Sequence, residues 1–444
     1  MSSPSAAPPP DPKMGAVAAA LIGVGGMVGG GIFAVLGTAV SMAQGGTPVA
    51  FALAGMVALL TCYAYVKLSC KFPEAGGTAV FLDQAFGANL FTGALNLTLW
   101  LSYLVTIALY ASAFASYGAT FFKTPPGWLH HALISAGILL PTAINLINAS
   151  VVSKSESYVV IGKLILLALV IAGGIFHVDP QRLQPSEWAG WGQLVVGGMV
   201  IFVAYEGFEL IANAAGDVRD PQRNLPRAFY GCVIFVIILY ILVAVVTVGG
   251  VAEEVILREK DYALAAAARP SLGQVGFVMV AVSALLATFS AINATVYGNA
   301  RLGYGLAKDG QLPAKLDETR AGNPIDGVIV TAALSLVIAN TVDLNAIAIL
   351  SSAGFLLIFA MVCAAAWKLA PQIGARPGIA GVGFLACAGA LVALLRDTAH
   401  RDPKALLIFA GFLLAAFLFE WIYPRLSGRP RQNPRRRAAA NLQE

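Results

Sequence analysis

About twenty consecutive apolar residues carry an α-helix across the hydrocarbon core of a bilayer, and stretches of that length recur along nearly all of this chain. They run approximately 14–40, 48–69, 87–121, 129–148, 156–177, 191–214, 228–251, 273–306, 327–342, 345–369, 379–395 and 404–423, with short polar breaks between them. A soluble core could not hide them: 58% of the residues are hydrophobic, 11% are charged, and mean hydropathy is +0.77. In lipid every backbone polar group needs an internal partner, so only helices and closed barrels span. These runs lack the period-two alternation of barrel strands and are too long for them. The expected fold is an all-α integral membrane protein of about 12 helices, forming one transmembrane domain over residues 14–423.

Residues 1–13 are Pro-rich and polar, without the basic and apolar regions of a signal peptide, and are expected to be a disordered cytoplasmic lead. With the N-terminus inside and the helices numbered in order, 19 of the 28 Lys and Arg residues fall on the cytoplasmic side and 8 outside, while Lys163 lies within a helix. That asymmetry meets the positive-inside rule with both termini cytoplasmic, in the inner (plasma) membrane of a cell. The net charge of +5 gathers in the cytoplasmic loops and in the basic tail, residues 424–444. Its RLSGRPRQNPRRR run suits anionic membrane lipids, and no nucleic acid partner is expected. The five cysteines have no metal-ligand spacing, and His130, His131, His177 and His400 all sit at expected helix ends. No cofactor, no metal and no catalytic cluster are expected, which argues against an enzyme.

The segment GVGGMVGGGIFAVLG, residues 23–37, puts seven glycines inside the first stretch, and each weakens a continuous helix. Gly25 with Gly29, or Gly26 with Gly30, has the small-xxx-small spacing of close helix packing. The adjacent pairs go further: Gly25, Gly26, Gly29, Gly30 and Gly31 let the backbone leave the helix around Val28 and Ile32 and offer N–H groups to a ligand. A second interruption falls in the sixth stretch, where Ala204, Tyr205, Glu206, Gly207 and Phe208 place a charge and a glycine in mid-run. Glycine-interrupted segments at corresponding positions of two halves point to a midplane substrate site, in which freed N–H groups favour a carboxylate and freed carbonyls a cation. An α-amino acid carries both charges.

Four motifs at these places resemble the amino acid-polyamine-organocation transporter superfamily. They are GGMVGGGIF (25–33), KFPEAGGTAVFLDQAFG (71–87), AYEGFELIANAAGDVRDPQRNLPRA (204–228) and NARLGYGLAKDGQLPAKL (299–316). The resemblance implies a five-plus-five inverted repeat, the first about 14–177 and the second about 191–369, with two added helices about 379–423. It also implies alternating access and a substrate site between helices one, three, six, eight and ten. Two departures stand out: Gly216-Asp217 where many relatives carry consecutive acidic residues, and Glu206 where an uncharged residue is usual.

Lys163, Glu206 and Glu209 are the ionisable residues well inside expected helices, and such residues are functional candidates because burying a charge is costly. Lys163 has no carboxylate within helical reach at i±3 or i±4, so its partner must come from another helix. The resemblance places it where proton-coupled members carry a lysine in place of a bound sodium ion. The expectation is that its ammonium braces freed helix-one carbonyls and helix-eight hydroxyls, namely Ser283, Thr288 or Ser290, and loosens them on losing its proton. Glu209 matches the family's acidic residue associated with gating. Glu206 could bind a substrate amine, pair with Lys163 or hold a second proton. Tyr103 and Tyr110 share a helical face, and Asn293, Ser351 and Ser352 could add polar contacts. The function expected is secondary active transport of an amino acid with protons. Amine, polyamine or cationic amino acid transport, exchange and potassium uptake stand as alternatives.

Overall fold

The computed structural model describes residues 14–73, 76–319 and 323–428, with the backbone alone for 147–157. The lead expected over 1–13 and most of the basic tail lie outside the described residues. The helices are α1 (Ala16–Met27), α2 (Gly30–Ala43), α3 (Thr47–Lys71), α4 (Gly77–Phe86), α5 (Leu90–Ala119), α6 (Gly127–Gly174), α7 (Trp191–Val200) and α8 (Leu210–Asn213). They continue with α9 (Pro221–Gly250), α10 (Glu253–Arg258), α11 (Ala263–Lys308), α12 (Ile325–Thr341), α13 (Leu344–Lys368), α14 (Ala370–Ile373), α15 (Pro377–Arg401) and α16 (Pro403–Ser427).

Among the described residues, 10 helical segments are each long and apolar enough to cross a membrane, two of them (Gly127–Leu146 and Tyr158–His177) drawn from α6 and the 3-10 turn that follows it. The pair α1 and α2, bent by 46°, makes an eleventh. The stretch expected over 327–342 is α12, a shorter apolar helix of 17 residues. α11 begins at Ala263, earlier than expected, because the chain bends at Gly273 (φ +61°), three residues after Pro270, and still continues as helix.

Helix starts follow the sequence. Pro stands in the first turn of α3, α9, α15 and α16, where its missing N–H costs nothing. α5 opens on a capping box, with the Asn89 side chain accepting from Phe91 N (2.9 Å) and Thr92 N (3.1 Å) while Thr92 accepts from Asn89 N (3.1 Å). α5 and α13 are the most enclosed helices, whereas α15 and α16 present most of their surface outward.

Close contacts cross each end of the bundle's centre. At one end Met14 pairs with the 217–219 strand-like segment, through Met14 N to Asp217 O and Arg219 N to Met14 O, each 2.9 Å. At the other, Gly37 of α2 lies directly under the Lys260 carbonyl, in the turn before α11, with no room for a Cβ.

Candidate functional site

Two backbone breaks meet in the middle of the bundle. In the first, only Val28 (φ −81°, ψ 43°) and Gly29 (φ −91°, ψ −136°) leave the helix between α1 and α2. The expectation that the whole glycine run opens the backbone is corrected here: Gly25 and Gly26 remain in α1, and Gly30, Gly31 and Ile32 begin α2. Those glycines serve close approach instead. A Cβ on Gly26 would stand 2.8 Å from Gly207 Cα, one on Gly29 2.7 Å from Ala291 Cβ, and one on Gly31 2.8 Å from Ala204 Cα. Gly30 is covered by the Tyr110 ring, again without space for a Cβ.

The second break is longer than the sequence suggested. α7 tightens into a 3-10 turn over Ile201–Tyr205, Glu206 is extended (φ −67°, ψ 144°), and regular helix resumes only at Leu210. Gly207 sits at φ +122°, where a Cβ would stand 2.5 Å from Gly26 C and Met27 N. Only glycine fits both that conformation and that contact. Ser352 of α13 secures the turn: its Oγ accepts from Val203 N (3.1 Å) and donates to Val200 O (2.7 Å). The Tyr240 hydroxyl of α9 reaches one carbonyl from each break, Met27 O and Ala204 O. Tyr205 and Phe208 are fully buried, and Tyr205 donates to Phe51 O at 2.8 Å.

The ionisable residues gather around this junction. Glu206 (2% exposed) faces α5 and α13: Thr106 Oγ1 lies 3.1 Å from both carboxyl oxygens, Ser351 Oγ lies 3.5 Å from Oε2, and the two hydroxyls are 2.7 Å apart. Each hydroxyl has one proton to give, so the contacts share donors. Glu209 (1% exposed) accepts from Tyr103 OH at 3.1 Å and from Gly207 N at 2.7 Å, which ties its carboxyl to the break itself. Lys163 (1% exposed) donates from Nζ to Gly25 O at 2.9 Å. That contact comes from α1, another helix.

The helix-eight hydroxyls lie on α11. Thr288 Oγ1 donates within its own helix, to Ala284 O at 2.7 Å, and Ser283 Oγ is buried without a hydrogen-bond partner among the described residues. Ser290 is half-buried. The Lys163 contact that the structure gives is the Gly25 carbonyl, and the expected bracing by these hydroxyls stays an expectation. Asn293 is also held elsewhere: Asn145 of α6 donates to its carbonyl (3.0 Å) and to its Oδ1 (2.9 Å), an interhelical bond.

Sequence reasoning missed Thr106, Tyr240 and Asn145. Thr106 had a signal, since it lies between Tyr103 and Tyr110 on the face of α5 already singled out. Tyr240 had none, being one aromatic in a wholly apolar run. Backbone carbonyls, an ammonium and two buried carboxyls at a paired break can hold and pass charged groups.

A family model described as amino acid permease matches residues 14–419. The chain belongs to this family. An uncharacterized protein of Methanocaldococcus jannaschii is 32% identical over 418 residues, covering 92% of this chain and 95% of its own. The inner membrane transport protein YbaT of Escherichia coli is 33% identical over 406 residues, covering 91% and 94%. The chloroplastic cationic amino acid transporter 9 of Arabidopsis thaliana is 28% identical over 313 residues, 66% of this chain and 55% of that one. The permease is an all-α membrane transporter of amino acids, not an enzyme.

Proposed function

We propose that this permease takes up an α-amino acid together with a proton, by alternating access, across a cell's inner membrane and with both termini cytoplasmic. The observation that carries the reading is the Lys163 ammonium on the Gly25 carbonyl, a titratable cation bonded to α1 a few residues before the helix-one break. Losing the proton would free that carbonyl and let α1 move against α6. In this reading residues about 14–177 and 191–369 are the two repeats, with the two breaks at corresponding positions. The first turn of α2, which has no side-chain cap, offers N–H groups to the substrate carboxylate. Carbonyls of Ala204 and Tyr205 lie beside the ammonium, and Tyr103, Tyr110 and Phe208 close over it. Glu209, bonded to Gly207 N, would link protonation to the second break.

A second reading, transport of an amine or a cationic amino acid, is favoured by Glu206. It is a buried carboxyl beside the junction whose described contacts are neutral hydroxyls, and one relative is named a cationic amino acid transporter.

The test is uptake by purified protein in liposomes. Radiolabelled alanine, leucine, lysine, putrescine and rubidium would be offered with and without an inward proton gradient, alongside Lys163→Ala. Gradient-stimulated uptake of a neutral amino acid that loses its gradient dependence in Lys163→Ala supports the first reading. Uptake of lysine or putrescine alone, abolished by Glu206→Gln, supports the second. Rubidium uptake alone, or uptake indifferent to the gradient, overturns proton-coupled amino-acid transport.

A further inference from the structure

A further buried carboxyl lies deep in the bundle outside the junction. Glu420 of α16 is 4% exposed within a membrane-crossing helix, and its carboxyl lies against Gly93 of α5 so closely that a Cβ there would overlap it. Glycine clears the α5 backbone for a charged group, an arrangement that lipid-facing packing does not call for. The neighbourhood is otherwise an apolar cluster of Leu97, Trp100, Leu306, Leu312 and Ala416. Buried polar atoms on the same stretches of chain have no hydrogen-bond partner among the described residues: both side-chain atoms of Asn96, Trp100 Nε1, and both side-chain atoms of Gln311. Asn96 is fully buried and Gln311 is 1% exposed. Buried amides left unpaired cost about 1–3 kcal/mol each, and ordered water is the usual partner of such groups.

The register of α5 connects this cluster to the junction. Gly93, Asn96, Trp100 and Tyr103 are spaced three, four and three apart, so they follow one another along neighbouring positions of one face. At the upper end Tyr103 donates to Glu209; at the lower end Glu420 rests on Gly93. The ten-residue step from Gly93 to Tyr103 spans about 15 Å of helix, a distance that a few waters on Trp100 Nε1 and the Asn96 amide can bridge. In the proposed orientation Glu420 is the end nearer the cytoplasm.

We propose that Glu420 is the cytoplasmic proton station of the permease: Glu209 gives its proton to a water on this path, a proton passes to the Glu420 carboxylate, and Glu420 releases it to the cytoplasm. Protons balance at each transfer, and no other reactant is required. The proposal rests on proton-coupled transport as argued above.

The test uses the full chain in liposomes, with a radiolabelled amino-acid mixture as probe. Net uptake driven by a proton gradient would be compared with counterflow, which exchanges labelled for unlabelled amino acids without net proton movement. Glu420→Gln should lower net uptake about tenfold and leave counterflow within about twofold, showing that the protein is folded and still moves substrate. Glu420→Asp should restore most of the net uptake, and Asn96→Leu should reduce it severalfold. Full net uptake by Glu420→Gln in the presence of a gradient-driven wild type overturns the station and leaves the coupling intact. Equal loss of counterflow in Glu420→Gln and Glu420→Asp overturns it in favour of a packing role. A wild type whose uptake ignores the gradient overturns the coupling reading, and the station falls with it.

Discussion

Gly207 shows how much one residue can carry when backbone meets backbone. Its φ of +122° lies in a region that L side chains rarely adopt, and a Cβ there would stand 2.5 Å from Gly26 C. Gly207→Ala should therefore combine a backbone cost of about 1–3 kcal/mol with a steric clash that only separation of the two breaks can relieve. The expected outcome is a clear fall in thermal stability in detergent together with loss of uptake. Gly298, around which a Cβ would meet nothing, provides the comparison: Gly298→Ala should leave both nearly unchanged. The importance of Gly207 was legible in the sequence as an interruption beside Glu206. Its partner Gly26 was legible only as one glycine among seven, because nothing local distinguishes a glycine that unwinds a helix from one that lets another helix approach.

At the scale of the element, adjacent serines on α13 do different work because successive residues of a helix point about 100° apart. Ser352 holds the 3-10 turn through Val203 N and Val200 O, while Ser351 reaches Thr106 and Glu206. Ser352→Ala leaves Val203 N–H without its partner in a buried site, at about 1–3 kcal/mol, and should lower the unfolding temperature. Ser351→Ala removes a hydroxyl whose neighbours keep each other, so it should cost little stability and act on transport instead. Measuring thermal unfolding and uptake for both variants separates the two; equal stability losses would mean that the turn does not depend on Ser352. Apolar length located the helices well, since a membrane asks the same of every span. It could not place the 3-10 turn, the bend at Gly273 or the early start of α11, because these arise from contacts with other helices, as the Ser352 bonds illustrate.

For the molecule as a whole, alternating access as proposed requires the contacts at the two ends of the junction to part in turn. The Met14 contact with 217–219 is the simplest latch to test. Met14 N bonds Asp217 O and Arg219 N bonds Met14 O, so Met14 stands directly opposite Val218 in a parallel pairing. Residues so placed have Cα atoms within the range a disulfide can bridge. Four of the five native cysteines are buried, and Cys70 is half-buried, so replacing Cys70 by Ser suffices as a background. Met14→Cys with Val218→Cys should cross-link under mild oxidation, stop uptake by about tenfold or more, and recover it on reduction, while either single variant stays active. If the cross-linked protein still transports at full rate, α1 does not part from the 217–219 segment during the cycle, and opening on that side must come from the loops beyond α3 and α11 instead. Positive-inside counting assigns that side to the cytoplasm. The same pair therefore offers a check on orientation: in right-side-out vesicles a membrane-impermeant thiol reagent should fail to label Met14→Cys until the membrane is opened.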